Sequence, residues 1–187
     1  MKNKKIDKEF EVKVLDFDLE KIIKKLGELG FKEDHEILLK RWVLDFSSEE
    51  AAEWFRLRTD GIRSFLAYKK KLKKNFEKGE IGKTEETEVE VKDFETTYKI
   101  LGKFPFNRRF YQENKRHLFK KGEVEVSIDS WPLIKPYLEI ESTNKKKVLE
   151  MLNLLGLSDK NVGDMDITVI YKNQGFNLHL YKELRFT

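Results

Sequence analysis

EFEVKV, residues 9–14, sets Glu9, Glu11 and Lys13 on one side of an extended chain and Phe10, Val12 and Val14 on the other, because successive side chains of a strand point to opposite faces. The fold turns on which side is inside. In an ordinary half-buried strand the apolar side meets the core and the charged side meets water. For this strand taken alone that reading wins, since charged side chains are rarely buried without partners. The remaining sequence has to overturn it or let it stand.

Composition narrows the possibilities. The chain has 187 residues with 39% hydrophobic and 12% aromatic content, enough for one substantial core, so a single domain over 1–187 is expected. Cysteine is absent, the opening MKNKKIDKEF carries no apolar h-region, and no apolar run is long enough to cross a bilayer, which predicts a soluble cytoplasmic protein with no membrane partner. The 38 Lys+Arg residues are nearly balanced by 34 Asp+Glu, leaving a formal net charge of +4. Many charges of both signs do not make the strong positive field that favours nucleic acid.

Along the chain, alternating segments dominate. Besides residues 9–14, extended segments are predicted at HEILLKRWVLDF (35–46), EWFRLRTD (53–60), RSFLAYKKKLK (63–73), TEETEVEVK (84–92), RFYQENKRHLF (109–119), GEVEVSID (122–129) and PYLEIES (136–142), which makes eight strands. Asp18 caps a helix with Leu19, Ile22, Ile23, Leu26 and Leu29 at helical spacing, ended by Gly30. Asp93 starts a second helix through Tyr98 to Leu101. KKKVLEMLNLLGL (145–157) makes a third, with Val148, Leu149, Leu152 and Leu155 on one face. The Lys-rich YKKKLKKNFEKGE (68–80) is expected to end in a loop, and the whole is an α+β pattern.

The charged faces of these strands resemble one another. Glu86, Glu88 and Glu90 share one parity; Glu125 and Asp129 oppose Val124, Val126 and Ile128; Glu139 and Glu141 oppose Leu138 and Ile140. Basic rows match them in Arg56 and Arg58, in Lys69 and Lys71, and in the adjacent Lys115 and Arg116. Eight antiparallel strands can curl and close, removing their edges and creating an interior. The apolar faces then point outward under the three helices, and acids and bases in mixed array pair with one another inside. Alternation permits this inversion without requiring it.

A resemblance carries the decision. EFEVK (9–13) matches the ExExK signature of the CYTH superfamily, the triphosphate tunnel metalloenzymes. It is followed in that family's order by WFRLR (54–58), YKKK (68–71), ETEVEV (86–91), YQENKR (111–116), EVSID (125–129) and YLEIES (137–142). IDSWP followed by YLEIES is most similar to the bacterial class IV adenylate cyclase-like branch.

The resemblance implies a closed eight-stranded antiparallel β-barrel with helices on its outside, a triphosphate tunnel formed by residues up to about 157, and a C-terminal segment, 158–187, packed on it. It turns Glu9, Glu11 and Lys13 inward. It gives phosphate contacts to Arg56, Arg58, Lys69, Lys71 and Arg116, and metal binding to Glu9, Glu11, Glu139 and Glu141, whose hard oxygen donors suit Mg2+ or Mn2+. Lys13 and Asp129 are the implied catalytic residues: in hydrolysis Lys13 or a metal-bound water supplies the base or nucleophile, a lysine base needing a lowered pKa, and Asp129 assists near the metal or the nucleophile. Glu86, Glu88, Glu90 and Glu125 support the basic rows. The activity implied is class IV adenylate cyclisation of ATP to cyclic AMP and pyrophosphate, with hydrolysis of inorganic triphosphate, thiamine triphosphate or a nucleoside triphosphate as the alternative and a non-catalytic polyphosphate- or nucleotide-binding module as a third. The oligomeric state is open, a homodimer being one option.

The chain departs from the family's spacing at two places. Lys115 and Arg116 are adjacent, so only one of them points inward on a regular strand, and Arg116 is taken to be that one. LKRWVLDF does not carry a Gln and an Asp in the arrangement common in the family's second strand. His35, His117 and His179 are too scattered for a metal site, and Trp42, Trp54 and Trp131 read as core or rim residues. The tail is expected to pack through Ile167, Ile170, Tyr171, Leu178 and Phe186 without a chemical role.

Overall fold

The computed structural model describes residues 7–45, 53–71 and 82–187; for strand residues 7–9, 71 and 82–84 it describes the backbone alone. Most of the expected Lys-rich loop, residues 72–80, therefore lies outside the described residues. The eight expected strands are all present, as β1 (Asp7–Val14), β3 (Ile37–Asp45), β4 (Glu53–Thr59), β5 (Ser64–Lys71), β6 (Gly82–Val91), β7 (Arg108–Lys121), β8 (Val124–Ser130) and β9 (Tyr137–Ser142). Three short strands join them: β2 (Lys32–Glu33), β10 (Asn161–Gly163) and β11 (Glu183–Leu184). The helices are α1 (Leu19–Glu28), α2 (Phe94–Leu101), α3 (Lys145–Leu155) and α4 (Ile167–Asn173), so the architecture is an antiparallel sheet with four helices.

The strands pair in the order β10-β1-β6-β5-β4-β3-β7-β8-β9, and β9 pairs in addition with β1. All of these pairs are antiparallel, while β11 runs parallel to β7. The register carries the charged parity from strand to strand. Glu11 and Lys13 stand opposite Glu141 and Glu139 of β9, which oppose Glu125 and Ser127 of β8. Asp129 opposes Arg116 of β7, Gln112 opposes Arg41 of β3, and Arg41 opposes Arg58 of β4. Arg56 then faces Ala67 of β5, whose neighbours Ala67 and Lys69 meet Glu88 and Glu86 of β6. Since a one-residue slip would send every one of these groups to the other face, the pairings themselves gather the acidic and basic rows onto one side.

The core lies on the opposite side. Val12 and Val14 of β1, Val126 and Ile128 of β8, and Leu138 and Ile140 of β9 pack against Ile22 and Leu26 of α1 and Val148, Met151, Leu152 and Leu155 of α3. Burying each such aliphatic side chain contributes about 1.5–3 kcal/mol, which is why the apolar parity faces the helices. Each helix starts where a short polar side chain takes its first free N–H: Asp18 accepts from Lys21, Asp93 from Thr96 and Asn144 from Lys146, as N-caps do. Gly156, at φ 71°, ends α3 in the left-handed conformation that glycine adopts without strain.

One residue of the expected α3 face is corrected: Leu149 is 43% exposed, and Met151 is buried in its place. Position 151 follows Val148 by three residues and precedes Leu155 by four, so it fits the same stripe. On the other flank α2 covers Leu44 and Leu57 with Leu101 and Tyr98, and Tyr98 stacks on Trp42 with ring centroids 4.1 Å apart.

The tail forms more structure than its sequence suggested. Ile170 and Tyr171 of α4 and Leu178 join a cluster with Trp131 and Tyr137, and the Tyr171 hydroxyl donates to the Pro132 carbonyl at 2.7 Å. Short strand β10 pairs with the end of β1. That attachment brings the tail to the charged face.

Candidate functional site

On the charged face the basic rows of β4 and β5 rest on the acids of β6. Arg56 Nη2 lies 2.7 Å from Glu86 and 3.6 Å from Glu88, Arg58 Nη2 lies 3.0 Å from Glu88, and Lys69 Nζ lies 2.8 Å from Glu86. Burial alone would raise the Glu86 carboxyl, but Arg56 and Lys69 outweigh it and hold it below its ordinary value. The Arg58 guanidinium is pulled below its ordinary value by burial and by the neighbouring charge of Arg56. The Nε atoms of Arg56 and Arg58 are buried and have no hydrogen-bond partner. A guanidinium braced by a carboxylate on one edge and unsatisfied on another is arranged to take an oxyanion.

Of the adjacent Lys115 and Arg116, the charged face receives Arg116, the one taken to point inward. Its Nε and Nη2 reach the two oxygens of Asp129 at 2.9 and 2.8 Å, and Nη2 also lies 3.0 Å from Glu139. Although burial disfavours the charge, Asp129 and Glu139 keep the guanidinium firmly protonated. Lys115 points the other way, 3.8 Å from Glu36 and over the Phe186 ring. Asp129 is fully buried and accepts further hydrogen bonds from Asn114 Nδ2 and Ser127 Oγ, so that it anchors Arg116 in place.

Lys13, Glu11 and Glu139 meet where β1 pairs with β9. Lys13 Nζ lies 3.4 Å from Glu11, 3.5 Å from Glu139 and 3.0 Å from Asp164. Burial would lower its pKa, but Glu11, Glu139 and Asp164 together raise it well above the ordinary value. This setting favours the charged form of Lys13, because three carboxylates stabilise its proton. Carboxylate oxygens of Glu11, Glu139 and Glu141 all lie within 4.8 Å of one another. Three hard oxygen donors converging on one point, with an ammonium already attracted to two of them, form a set that fits Mg2+ or Mn2+. The side chain of Glu9, the fourth expected ligand, lies outside the described residues, as does that of Lys71.

Two supporting residues fall away from this network. Glu90 is exposed near the end of β6, where its neighbour across the ladder is Phe65 rather than a base. Glu125 lies 2.6 Å from Lys120, near the end of β7, and so pairs with a partly exposed lysine instead of bracing a member of the basic rows. Conversely, the sequence reading missed Arg41, Asn114 and Asp164. Arg41 had no clear local signal, since β3 carries apolar residues at both parities, Leu39 and Val43 beside Arg41, with Trp42 and Leu44 opposite. Asn114 stood in the quoted YQENKR motif at the parity of Arg116. Asp164 had no local signal, because nothing in GDMDITVI distinguishes it from Asp166.

Known proteins resemble the chain in sequence and in fold. The chain is 31% identical over 172 residues to a candidate adenylate cyclase of Methanocaldococcus jannaschii, covering 82% of this chain and 93% of that one. A protein of Pyrococcus furiosus with no stated activity has a solved structure that superposes with a TM-score of 0.69 at 19% identity, over 87% of this chain and 99% of its own. A candidate adenylyl cyclase of Hippeastrum, described as having a dominant triphosphatase activity, superposes with a TM-score of 0.57 at 13% identity, over 90% of this chain and 96% of its own. No protein-family model matches the chain. Among the described residues no helix is long and apolar enough to cross a membrane.

Proposed function

The chain belongs to the CYTH superfamily, and from that premise we propose that it is a metal-dependent enzyme acting on a triphosphate held along its charged face, in the cytoplasm. The observation that carries this is the juxtaposition of the Glu11, Glu139 and Glu141 cluster with braced guanidiniums at Arg56, Arg58 and Arg116. A pure anion-binding module gains nothing from a carboxylate cluster beside its ligand, because like charges repel. The pairing of β9 with β1 supports a tunnel as the shape of the site.

In this reading Arg56, Arg58 and Lys69 bind the phosphate oxygens, with Glu86 and Glu88 fixing their orientation. Arg116, immobilised by Asp129, presents a preorganised positive charge to the reacting phosphoryl group. Glu11, Glu139 and Glu141 hold the divalent cation. That ion supplies Lewis-acid polarisation of a phosphoryl oxygen and neutralises developing charge. Lys13, kept cationic, limits the mutual repulsion of the carboxylates.

The name of the archaeal relative favours cyclisation of ATP, in which the ribose 3′-oxygen displaces pyrophosphate. The residues of the site favour hydrolysis as the second reading, since every group just described addresses phosphate or metal and none addresses a nucleoside. Purified protein incubated with Mg2+ or Mn2+ and separately with ATP, inorganic triphosphate and thiamine triphosphate tests both. Cyclic AMP with pyrophosphate supports the cyclase, and orthophosphate release supports the triphosphatase. No turnover of any of the three sinks the proposal.

A further inference from the structure

Arg41, at the middle of β3, is a fourth guanidinium on the charged face and differs from the others in having no carboxylate bracing. Arg56, Arg58 and Arg116 each lie within 3.0 Å of an acid. Arg41 has no ion-pair partner among the described residues. Its Nη2 donates instead to the amide oxygen of Asn114, its plane lies over the Trp131 ring at 4.8 Å, and its Nε is buried without a partner. Burial, and after it the like charges of Arg56 and Arg116, lower its pKa to about 9 against the opposing pull of Asp129. In the protein alone this is an unfavourable place for a guanidinium, since neutral partners and an aromatic face return less than burial and two like charges remove.

We propose that Arg41 forms an oxyanion subsite of the charged face, its Nε–H donating to a phosphate oxygen of a triphosphate that Arg56 and Arg116 contact from either side. This rests on the triphosphate reading given above. The position is held for the purpose: Asn114 is itself fully buried and donates to Asp129 at 2.7 Å, and Asp129 holds Arg116. Arg41 and Arg116 are thus tied through Asn114 and Asp129 into one hydrogen-bonded chain, and Trp131 fixes the tilt of the first. A polyanion entering between them satisfies the orphaned Nε–H and removes the repulsion among three cations. The fixed frame removes most of the ordering cost of binding.

The test compares inorganic triphosphate binding, by calorimetric titration, to the parent protein, Arg41→Met, Arg41→Gln and the exposed-turn control Arg63→Gln. The expected result is a dissociation constant raised about tenfold or more in both Arg41 variants and unchanged within about twofold in the control, as for loss of a charge-assisted hydrogen bond. The melting temperature of ligand-free Arg41→Met is expected to equal or exceed that of the parent, because relieving like-charge crowding offsets the lost Asn114 contact. A residue serving only to hold Asn114 would show the opposite, a lower melting temperature in both Arg41 variants, and that result overturns the proposal. Parent-like affinity in the Arg41 variants overturns it while leaving the triphosphate reading intact. Absence of binding by the parent removes the triphosphate reading, and the subsite with it.

Discussion

The Arg116 guanidinium meets the Asp129 carboxylate edge to edge, with Nε 2.9 Å from Oδ1 and Nη2 2.8 Å from Oδ2. Because Asn114 and Ser127 donate to the same carboxylate, four donors converge on a side chain with no exposure. A carboxylate so fully engaged stabilises the charge beside it. It has no open lone pair with which to accept a proton from a reactant.

Asp129→Asn should therefore act first on stability. Replacing one member of a buried, hydrogen-bonded ion pair leaves the other under-compensated, which costs about 3–5 kcal/mol; Glu139, 3.0 Å from Arg116, keeps the loss near the lower figure. Urea denaturation measures it. A loss of turnover with parent-like stability would mean instead that Asp129 takes part in the chemistry.

Glu141→Gln should raise the Mg2+ or Mn2+ concentration needed for half-maximal turnover by about tenfold or more, the equivalent of about 1.4 kcal/mol. Glu141 is chosen because, unlike Glu11 and Glu139, it leaves the ion pairs of Lys13 in place when altered. Binding of inorganic triphosphate without metal should be no weaker than in the parent, since an acid has been removed from an anion site. An unchanged metal requirement would exclude Glu141 from the cation site.

The ion pairs of Glu86 give the stability a pH dependence of known sign. Its carboxyl is held below the ordinary value of 4.5 by Arg56 and Lys69, against burial. A depressed folded-state pKa contributes stability that is present above the unfolded value and lost as pH falls through the folded one. The stability difference between the parent and Glu86→Gln should be constant at neutral pH and shrink once the pH drops below 4.5. Denaturation midpoints for the pair at several pH values supply the measurement, and a difference that grows on acidification contradicts the assignment.

The outer core tests the inversion of the sheet. Leu152→Ala on α3 removes a side chain 2% exposed that packs among strand residues on the apolar side, and should cost about 2–5 kcal/mol. Triphosphate affinity of the folded variant should be unchanged, because the binding groups sit on the other face. An affinity loss as large as the stability loss would place binding on the helix side.

Strands such as β1, β8 and β9 were legible because each carries its own period-two pattern, and the charged rows were legible because Arg56 with Arg58, and Glu139 with Glu141, repeat at that spacing within a single strand. EFEVKV could not declare its inner face by itself, as both of its parities are regular; the answer came from the ordered motifs and from the register with β9. What stayed hidden was set by tertiary contacts. Glu90 has the same spacing as Glu86 and Glu88, but the β5 residue between it and Arg58 is Phe65, and Arg58 pairs with Glu88 instead. Met151 and Leu149 are both apolar, and packing against the strands decides between them, since Met151 joins the cluster with Val12 and Ile140 and Leu149 does not. Asp164 depends on where a tail more than a hundred residues downstream returns to β1.

Asp164 is accordingly the residue whose role most needs measurement. Its carboxylate, 1% exposed, is the nearest acid to Lys13, at 3.0 Å against 3.4 Å for Glu11 and 3.5 Å for Glu139. By drawing the ammonium toward the tail it keeps Lys13 from pairing more closely with the two carboxylates that belong to the metal cluster. Asp164→Asn removes that pull while preserving shape. Lys13 should then settle on Glu11 and Glu139 and compete with the divalent cation, raising the metal concentration for half-maximal turnover while the KM for triphosphate stays within about twofold, as for loss of an interaction outside the substrate contacts. Stability should fall by about 3 kcal/mol or less, since two acids still compensate the buried ammonium. A raised KM with an unaltered metal requirement would show that Lys13 serves the phosphates rather than the carboxylates, and would move it from the cation site to the anion rows.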